Sequence, residues 1–336
     1  MRGPRSEIAV AVATSGLLPI VRGSEAARTG APIAVVWGEE GGAVLVLENG
    51  TVAAKPVGRE AVEDLVASER PRGALPDIRR ALDGPLSAVL TGPTRAADGG
   101  PAATTLTLRE RQPLAVSSSP KPVPVATASV PAGEGAVFAP QPPRIVPLAG
   151  RPAVLAATRI GAETGGLVLV TRPPSEPSAW TVSARSAPGP RLGLAAVADF
   201  SGSGAPEAAT VDSRGALRLW HLTADAITPG PEAMGFTLGG GEADVSPPSD
   251  LADTVPAEGG TDLALPVAGM PALAVVTARG LDKNANRGSW RERLRVTLPV
   301  PVGTGIVALG EGAALRLVVG LGDGRVAAIA LDGGRP

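Results

Sequence analysis

Leu194-Ala195-Ala196-Val197-Ala198-Asp199-Phe200 leads into the turn Ser201-Gly202-Ser203-Gly204-Ala205-Pro206 and then Glu207-Ala208-Ala209-Thr210-Val211. The turn Asp212-Ser213-Arg214-Gly215 and the run Ala216-Leu217-Arg218-Leu219-Trp220 follow. Short apolar runs bounded by Gly, Ser and Asp predict strands joined by tight turns. The first two runs are almost continuously apolar, as strands covered on both faces are. The third alternates, as a strand with one wet face does. A small antiparallel sheet of this kind is not stable alone and must bury its faces against other elements.

The same order of strand, small turn, strand, polar Gly-containing turn and strand returns along the chain. Near the start it reads Leu18-Pro19-Ile20-Val21, Ile33-Ala34-Val35-Val36-Trp37 and Val44-Leu45-Val46-Leu47. In the middle it reads Ile145-Val146-Pro147-Leu148, Ala153 to Thr158 and Leu167-Val168-Leu169-Val170, and near the end Ile306 to Leu309, Leu315 to Val319 and Val326 to Ala330. Two weaker copies start at Ile78 and Leu263. Repeat starts at Leu18, Ile78, Ile145, Leu194, Leu263 and Ile306 divide the 336 residues into six units. Units that pack face to face around an axis cover both faces of every sheet, so the predicted fold is all-β, a single β-propeller over residues 1–336 with six blades, or seven as the alternative.

The last unit reaches Leu331-Asp332-Gly333-Gly334 before a fourth strand can form, while the strand Ile8 to Ala13 belongs to no unit. The two are predicted to pair, so that the N-terminal strand closes the ring. Loop insertions are expected near 60–72, 110–143 and 236–260. Within the first, Glu60 to Ser68 carries Val62, Leu65 and Val66 at i, i+3 and i+4 and predicts a short helix. Ser117 to Pro143 reads as an extended, polyproline-like connection, and Gly239 to Gly260 as a Gly- and acid-rich loop.

Composition agrees with short strands and a core of small side chains: 44 Gly and 35 Pro bar long helices, and aromatics make up only 2%. With 31 basic and 32 acidic residues there is no positive field to attract a phosphate backbone, so nucleic-acid binding is not expected. The absence of cysteine excludes disulfides, thiolate metal sites and a cysteine nucleophile. No apolar run approaches the roughly 18 to 20 residues of a membrane helix, so no membrane span is expected. Met1-Arg2-Gly3-Pro4-Arg5 before Ile8 to Ala13 imitates a signal peptide, but Glu7 and the missing A-x-A site favour a strand.

The loop Asp199-Phe200-Ser201-Gly202-Ser203-Gly204-Ala205-Pro206-Glu207 resembles the FG-GAP/VCBS repeat family, whose loops read Asp-Phe-Asn-Gly-Asp-Gly with a further Asp before the next strand. The resemblance implies a propeller, a binding role in a bacterial envelope setting and calcium held by loop oxygens. Here Asp199 matches the first ligand, Ser201 and Ser203 replace Asn and Asp, and Glu207 stands for the final Asp. Hydroxyls are poor substitutes for carboxylates around a hard cation, so a turn in which Asp199 accepts backbone N–H bonds is the favoured reading. A second candidate calcium loop, Asp282-Lys283-Asn284-Ala285-Asn286-Arg287-Gly288, places Asp282, Asn284 and Asn286 at alternate positions but lacks the closing Glu. No other cofactor is expected.

His221 is the only histidine and cannot build a multi-His zinc site; no G-x-S-x-G or H-E-x-x-H motif accompanies it. Glu39-Glu40 and Glu63-Asp64 sit in turn and helix contexts that solvate charge. Trp37, Trp180, Trp220 and Trp290 fall in four units and are expected to fill the space between sheets. The resulting expectation is a non-enzymatic binding or scaffold protein that takes a protein or carbohydrate partner through loops on one face. The alternative is a hydrolase or lyase with channel-facing carboxylates. A leader ahead of Met1 would place the protein in the periplasm or outside the cell, and otherwise it is expected in the cytoplasm.

Overall fold

The computed structural model describes residues 6–10, 16–20, 33–38, 41–113, 122–176, 178–239, 251–279 and 290–331. They are all-β apart from one α-helix and a single 3-10 turn. Strand β1 (Ser6–Val10) precedes a meander of β2 (Gly16–Ile20), β3 (Ile33–Gly38), β4 (Gly41–Glu48) and β5 (Thr51–Val57), hydrogen-bonded in that order. Helix α1 (Arg59–Glu69) follows, where Glu60 to Ser68 predicts one. Its Val62 is buried, and a Cβ on Gly42 of β4 would come within 2.9 Å of the Val62 side chain and 2.4 Å of the Val36 carbonyl. Glycine at 42 is what lets the helix lie against the sheet.

A second meander comprises β6 (Ala81–Asp83), β7 (Leu86–Arg95), β8 (Pro101–Arg111) and β9 (Val125–Pro131). After the two-residue β10 (Val137–Phe138), a third is formed by β11 (Arg144–Leu148), β12 (Arg151–Arg159), β13 (Thr164–Thr171) and β14 (Thr181–Arg185). Because β10 pairs with both β8 and β12, and β15 (Gly189–Pro190) pairs with β13, these strands form one ten-stranded sheet. The fourth meander is β16 (Leu192–Ala198), β17 (Glu207–Asp212), β18 (Ala216–Leu222) and β19 (Ile227–Met234). The fifth is β20 (Asp253–Ala257), β21 (Gly260–Pro266), β22 (Ala272–Thr277) and β23 (Arg291–Thr297). Last come β24 (Val302–Leu309), β25 (Arg316–Leu321) and β26 (Val326–Ala330), and the sheet order is β1-β26-β25-β24. The expected pairing of the N-terminal strand with the last unit is therefore present, in the register Ser6↔Ile329, Glu7↔Ala328 and Ile8↔Ala327. The strand begins earlier than Ile8, and residues 11–13 lie outside the described residues.

Three expectations need correction. Val125–Pro131, placed in a polyproline-like connection, is strand β9, and all seven of its residues pair with β8. Small residues on an exposed strand leave little apolar signal to read. Asp253–Ala257, placed in a loop, is strand β20, so the fifth unit starts there and Leu263 belongs to its second strand. Asp253 and Pro256 disguise it, as they suit a strand paired on one side only. Ile78 is not in a strand; it is buried in the turn region before β6.

The chain divides into two compact units, one of Met1–Ser68, Gly193–His221 and Pro229–Pro336, the other of Glu69–Leu192 and Leu222–Thr228. In the first, the strands send alternate residues into different cores. Leu263 and Leu265 of β21 and Ala274 and Val276 of β22 pack with Ala209, Leu217 and Leu219. Their neighbours Ala264, Leu273 and Val275 pack with Ile306, Leu317, Val319 and Ile329. On the far side of that last sheet, Val307, Val318, Val326 and Ala328 meet Ala34, Val36, Leu45 and Leu47. A period of two thus explains the continuous apolar runs, since each face of a central strand has its own core. Buried Asp253 ties β20 to β24: its Oδ2 accepts the Ala308 N–H at 2.8 Å and its Oδ1 the Thr254 N–H at 2.6 Å.

In the second unit, Leu86, Ala88 and Leu90 pack with Val154, Ala156 and Val168. At one end of this core Asp98 gathers the Gly100 N–H (2.9 Å), Arg159 Nη1 (3.2 Å) and Arg191 Nη1 (2.7 Å). Burial works to raise the Asp98 pKa, but the Gly100 N–H and the two guanidinium groups outweigh it and hold the carboxyl below its ordinary value. A depressed folded-state value means that this contribution is complete above the ordinary carboxylate range and is lost as pH falls through the folded value. Denaturant midpoints measured from about pH 6 to about pH 3 should therefore fall less steeply in Asp98→Asn than in the parent protein.

Candidate functional site

The loop between β16 and β17 turns back through Gly202 and Gly204, whose φ angles of 76° and 78° lie in the left-handed region that favours glycine. Asp199 fixes this turn. Its Oδ1 accepts the Ser203 N–H and its Oδ2 the Gly204 N–H, both at 2.8 Å, while Ser203 Oγ accepts the Ala205 N–H at 3.3 Å. At the other end of the loop Glu207 is only 1% exposed. Its Oε2 accepts the N–H groups of Phe200 (3.1 Å) and Ser201 (2.8 Å), and its Oε1 accepts the Ser201 hydroxyl at 2.9 Å. The β17–β18 register sets Glu207 opposite His221, whose Nδ1 lies 2.9 Å from Oε1. The His221 side chain is 47% exposed, so the pair has a buried anionic end and a wet imidazole end.

A cation at this loop would compete with four backbone N–H donors and a hydroxyl for the same carboxylate oxygens. The backbone-capped turn favoured by the sequence is what Asp199 makes. Among the described residues, no three His, Asp or Glu side chains come together closely enough to hold a metal ion. Asp282, Asn284 and Asn286 lie outside the described residues, as do Glu39 and Glu40.

Beside this loop stands the tip of the β20–β21 hairpin. A Cβ on Gly202 would lie 3.1 Å from the Gly259 carbonyl oxygen, and one on Gly260 would lie 3.1 Å from the Arg279 Cδ and 3.5 Å from the Asp199 carbonyl oxygen. Arg279 Nη2 donates to Asp262 Oδ1 at 2.9 Å, and Arg293 Nη1 pairs with Oδ2 of the same carboxylate. Asp262 is fully buried, whereas the Arg293 side chain is half exposed. Arg291 joins them by donating from Nη2 to the Arg279 carbonyl at 2.7 Å. Two arginines thus share one buried carboxylate and a third is bonded to the backbone beside them, which leaves an arginine-rich rim next to the Asp199 loop.

Sequence reasoning did not anticipate this rim. A register shift in β23 pairs Leu294 with Val275 and Glu292 with Val276, so Arg293 is an extra residue re-aimed by a bulge. The alternation of charge in Arg291-Glu292-Arg293 was the available signal. The tryptophans behave largely as structural residues. Trp220 Nε1 donates to Thr210 Oγ1 at 2.8 Å, Trp180 lies 4.4 Å beneath the Arg172 guanidinium, and Trp290 meets Phe200 edge-on at 5.4 Å. No family model matches the chain, and no curated protein matches it.

Proposed function

We propose that the chain is a six-bladed β-propeller of the FG-GAP/VCBS type, closed by β1, and that it acts as a non-enzymatic binding scaffold. The observation that carries the fold is the period-two division of strands such as β21, β22 and β25 between cores on opposite faces, as expected of sheets stacked around an axis. The ten-stranded sheet contributes two of the six four-stranded runs, and β1 supplies the fourth strand of the last.

The binding face we assign is the end of the first unit that bears the Asp199 loop, the β20–β21 hairpin and the arginine rim. Asp199, Glu207 and Asp262 are spent on structural bonds, while Ser203, Ala205, Glu258, Arg291 and Arg293 remain exposed to meet a protein or carbohydrate partner. An enzymatic reading draws on the His221–Glu207 pair, in which a buried carboxylate orients a wet imidazole.

A single comparison tests the binding reading. Full-length protein and Ala205→Arg, which places bulk on the exposed loop tip, are screened on a glycan array and against host extract with crosslinking. We expect a retained ligand that Ala205→Arg loses by at least about tenfold, equivalent to about 1.4 kcal/mol. Equal retention by both proteins would refute this binding face, and glycan cleavage abolished by His221→Ala would favour the enzyme.

A further inference from the structure

Each meander ends on a strand that pairs on one side only among the described residues: β5, β9, β14, β19 and β23, with β1 in that place in the last sheet. An open edge is a template for another chain, and proteins defend such edges with charge, proline or bulges. Five of the six edges are defended in this way. Strand β5 carries Lys55 and Pro56, β19 carries Pro229 and Pro231, and β23 carries Arg291, Glu292, Arg293 and Arg295 with a bulge. Strand β14 has only five residues, a register shift and Arg185, and β1 has Glu7 and a register shift.

Strand β9 has neither charge nor bulge, and its one proline is its last residue. Val125-Ala126-Thr127-Ala128-Ser129-Val130-Pro131 contains no charge and no proline before its last residue, and its seven residues pair with β8 without interruption. It is exposed along most of its length, and Val125 and the preceding Val123 are 51% and 46% exposed. Its residues 126–129 are all small, so the edge offers neither a pocket for a large side chain nor a charge to select a charged peptide. What fits beside it is an equally flat, uncharged strand of small residues. Among the closing strands only β9 itself has that character.

We propose that β9 is a self-association edge, on which β9 of a second copy pairs antiparallel about a two-fold axis and joins the two sheets into one. This inference is independent of the binding face assigned above, since β9 belongs to the other unit.

Sedimentation equilibrium of the full chain, with Thr127→Lys and Ala54→Lys alongside, tests it. Both substituted positions are exposed, and Ala54 lies on the defended edge β5. The parent and Ala54→Lys should form a concentration-dependent dimer. Thr127→Lys, which sets like charges of the two copies against each other, should weaken it by at least about tenfold with an unchanged melting temperature. Should Thr127→Lys perturb the fold, Ser129→Lys on the same exposed strand replaces it. A parent protein that stays monomeric at every concentration, or a dimer that a folded Lys variant of β9 leaves intact, would overturn the proposal.

Discussion

Glu207→Leu should destabilise the protein by about 3 to 5 kcal/mol, the range for removing one member of a buried charged network. The substitution removes the acceptor of the Phe200 and Ser201 N–H groups, of the Ser201 hydroxyl and of His221 Nδ1. Leucine gives none of these donors a partner, and each one left buried costs about 1 to 3 kcal/mol, less whatever the loop recovers by opening to water. That opening is itself damaging, because Phe200 is fully buried and rests on Trp290 between two sheets. Glu207→Gln should lose less, since its carbonyl oxygen still accepts while its NH₂ faces donors. Urea unfolding of the three proteins measures the series, and a loss below about 1 kcal/mol for the leucine variant would show that the network is not structural.

Much of the architecture is legible in the sequence because its inner strands are covered on both faces. The run Glu207 to Val211 and the run Ala216 to Trp220 read as strands and are β17 and β18, and the segment around Val62 reads as a helix and is α1. The strands that stay hidden are those whose residues do not need to be apolar. Strand β9 is an exposed row of small residues, and β20 begins with a buried Asp that is satisfied by backbone N–H groups from its own strand and from β24. Composition carries the signal of burial, and a strand whose stability comes from its hydrogen-bonded neighbour leaves little of it.

The candidate site divides in the same way. The turn held by Asp199 follows from local spacing, since the carboxylate reaches N–H groups only a few residues ahead. The partnership of Glu207 with His221 needs the β17–β18 register, and that of Asp262 with Arg279 and Arg293 needs three strands and a bulge. Such contacts are set by pairing across the sheet, which no run of residues displays by itself.

The second large effect concerns the joining of the chain's two ends. Strand β26 is an inner strand only because β1 covers its far edge, and Val326, Ala327, Ala328 and Ile329 are all buried there. Without residues 1–10, the edge of an apolar strand opens to water and the β1–β26 backbone bonds are lost. At about 1 kcal/mol net for each bond, plus the apolar surface uncovered, the expected loss is about 3 to 5 kcal/mol. Val326 and Ala328 also belong to the core shared with β3 and β4, so the damage should spread to the first sheet.

Hydrogen exchange of the full chain and of the form lacking residues 1–10 therefore tests the joining of the two ends most directly. Joining by β1 predicts that amides of Val326–Ala330 exchange much faster in the shortened form, with smaller increases in β3 and β4, while β17 and β18 keep their protection. Equal protection of Val326–Ala330 in the two forms would contradict it.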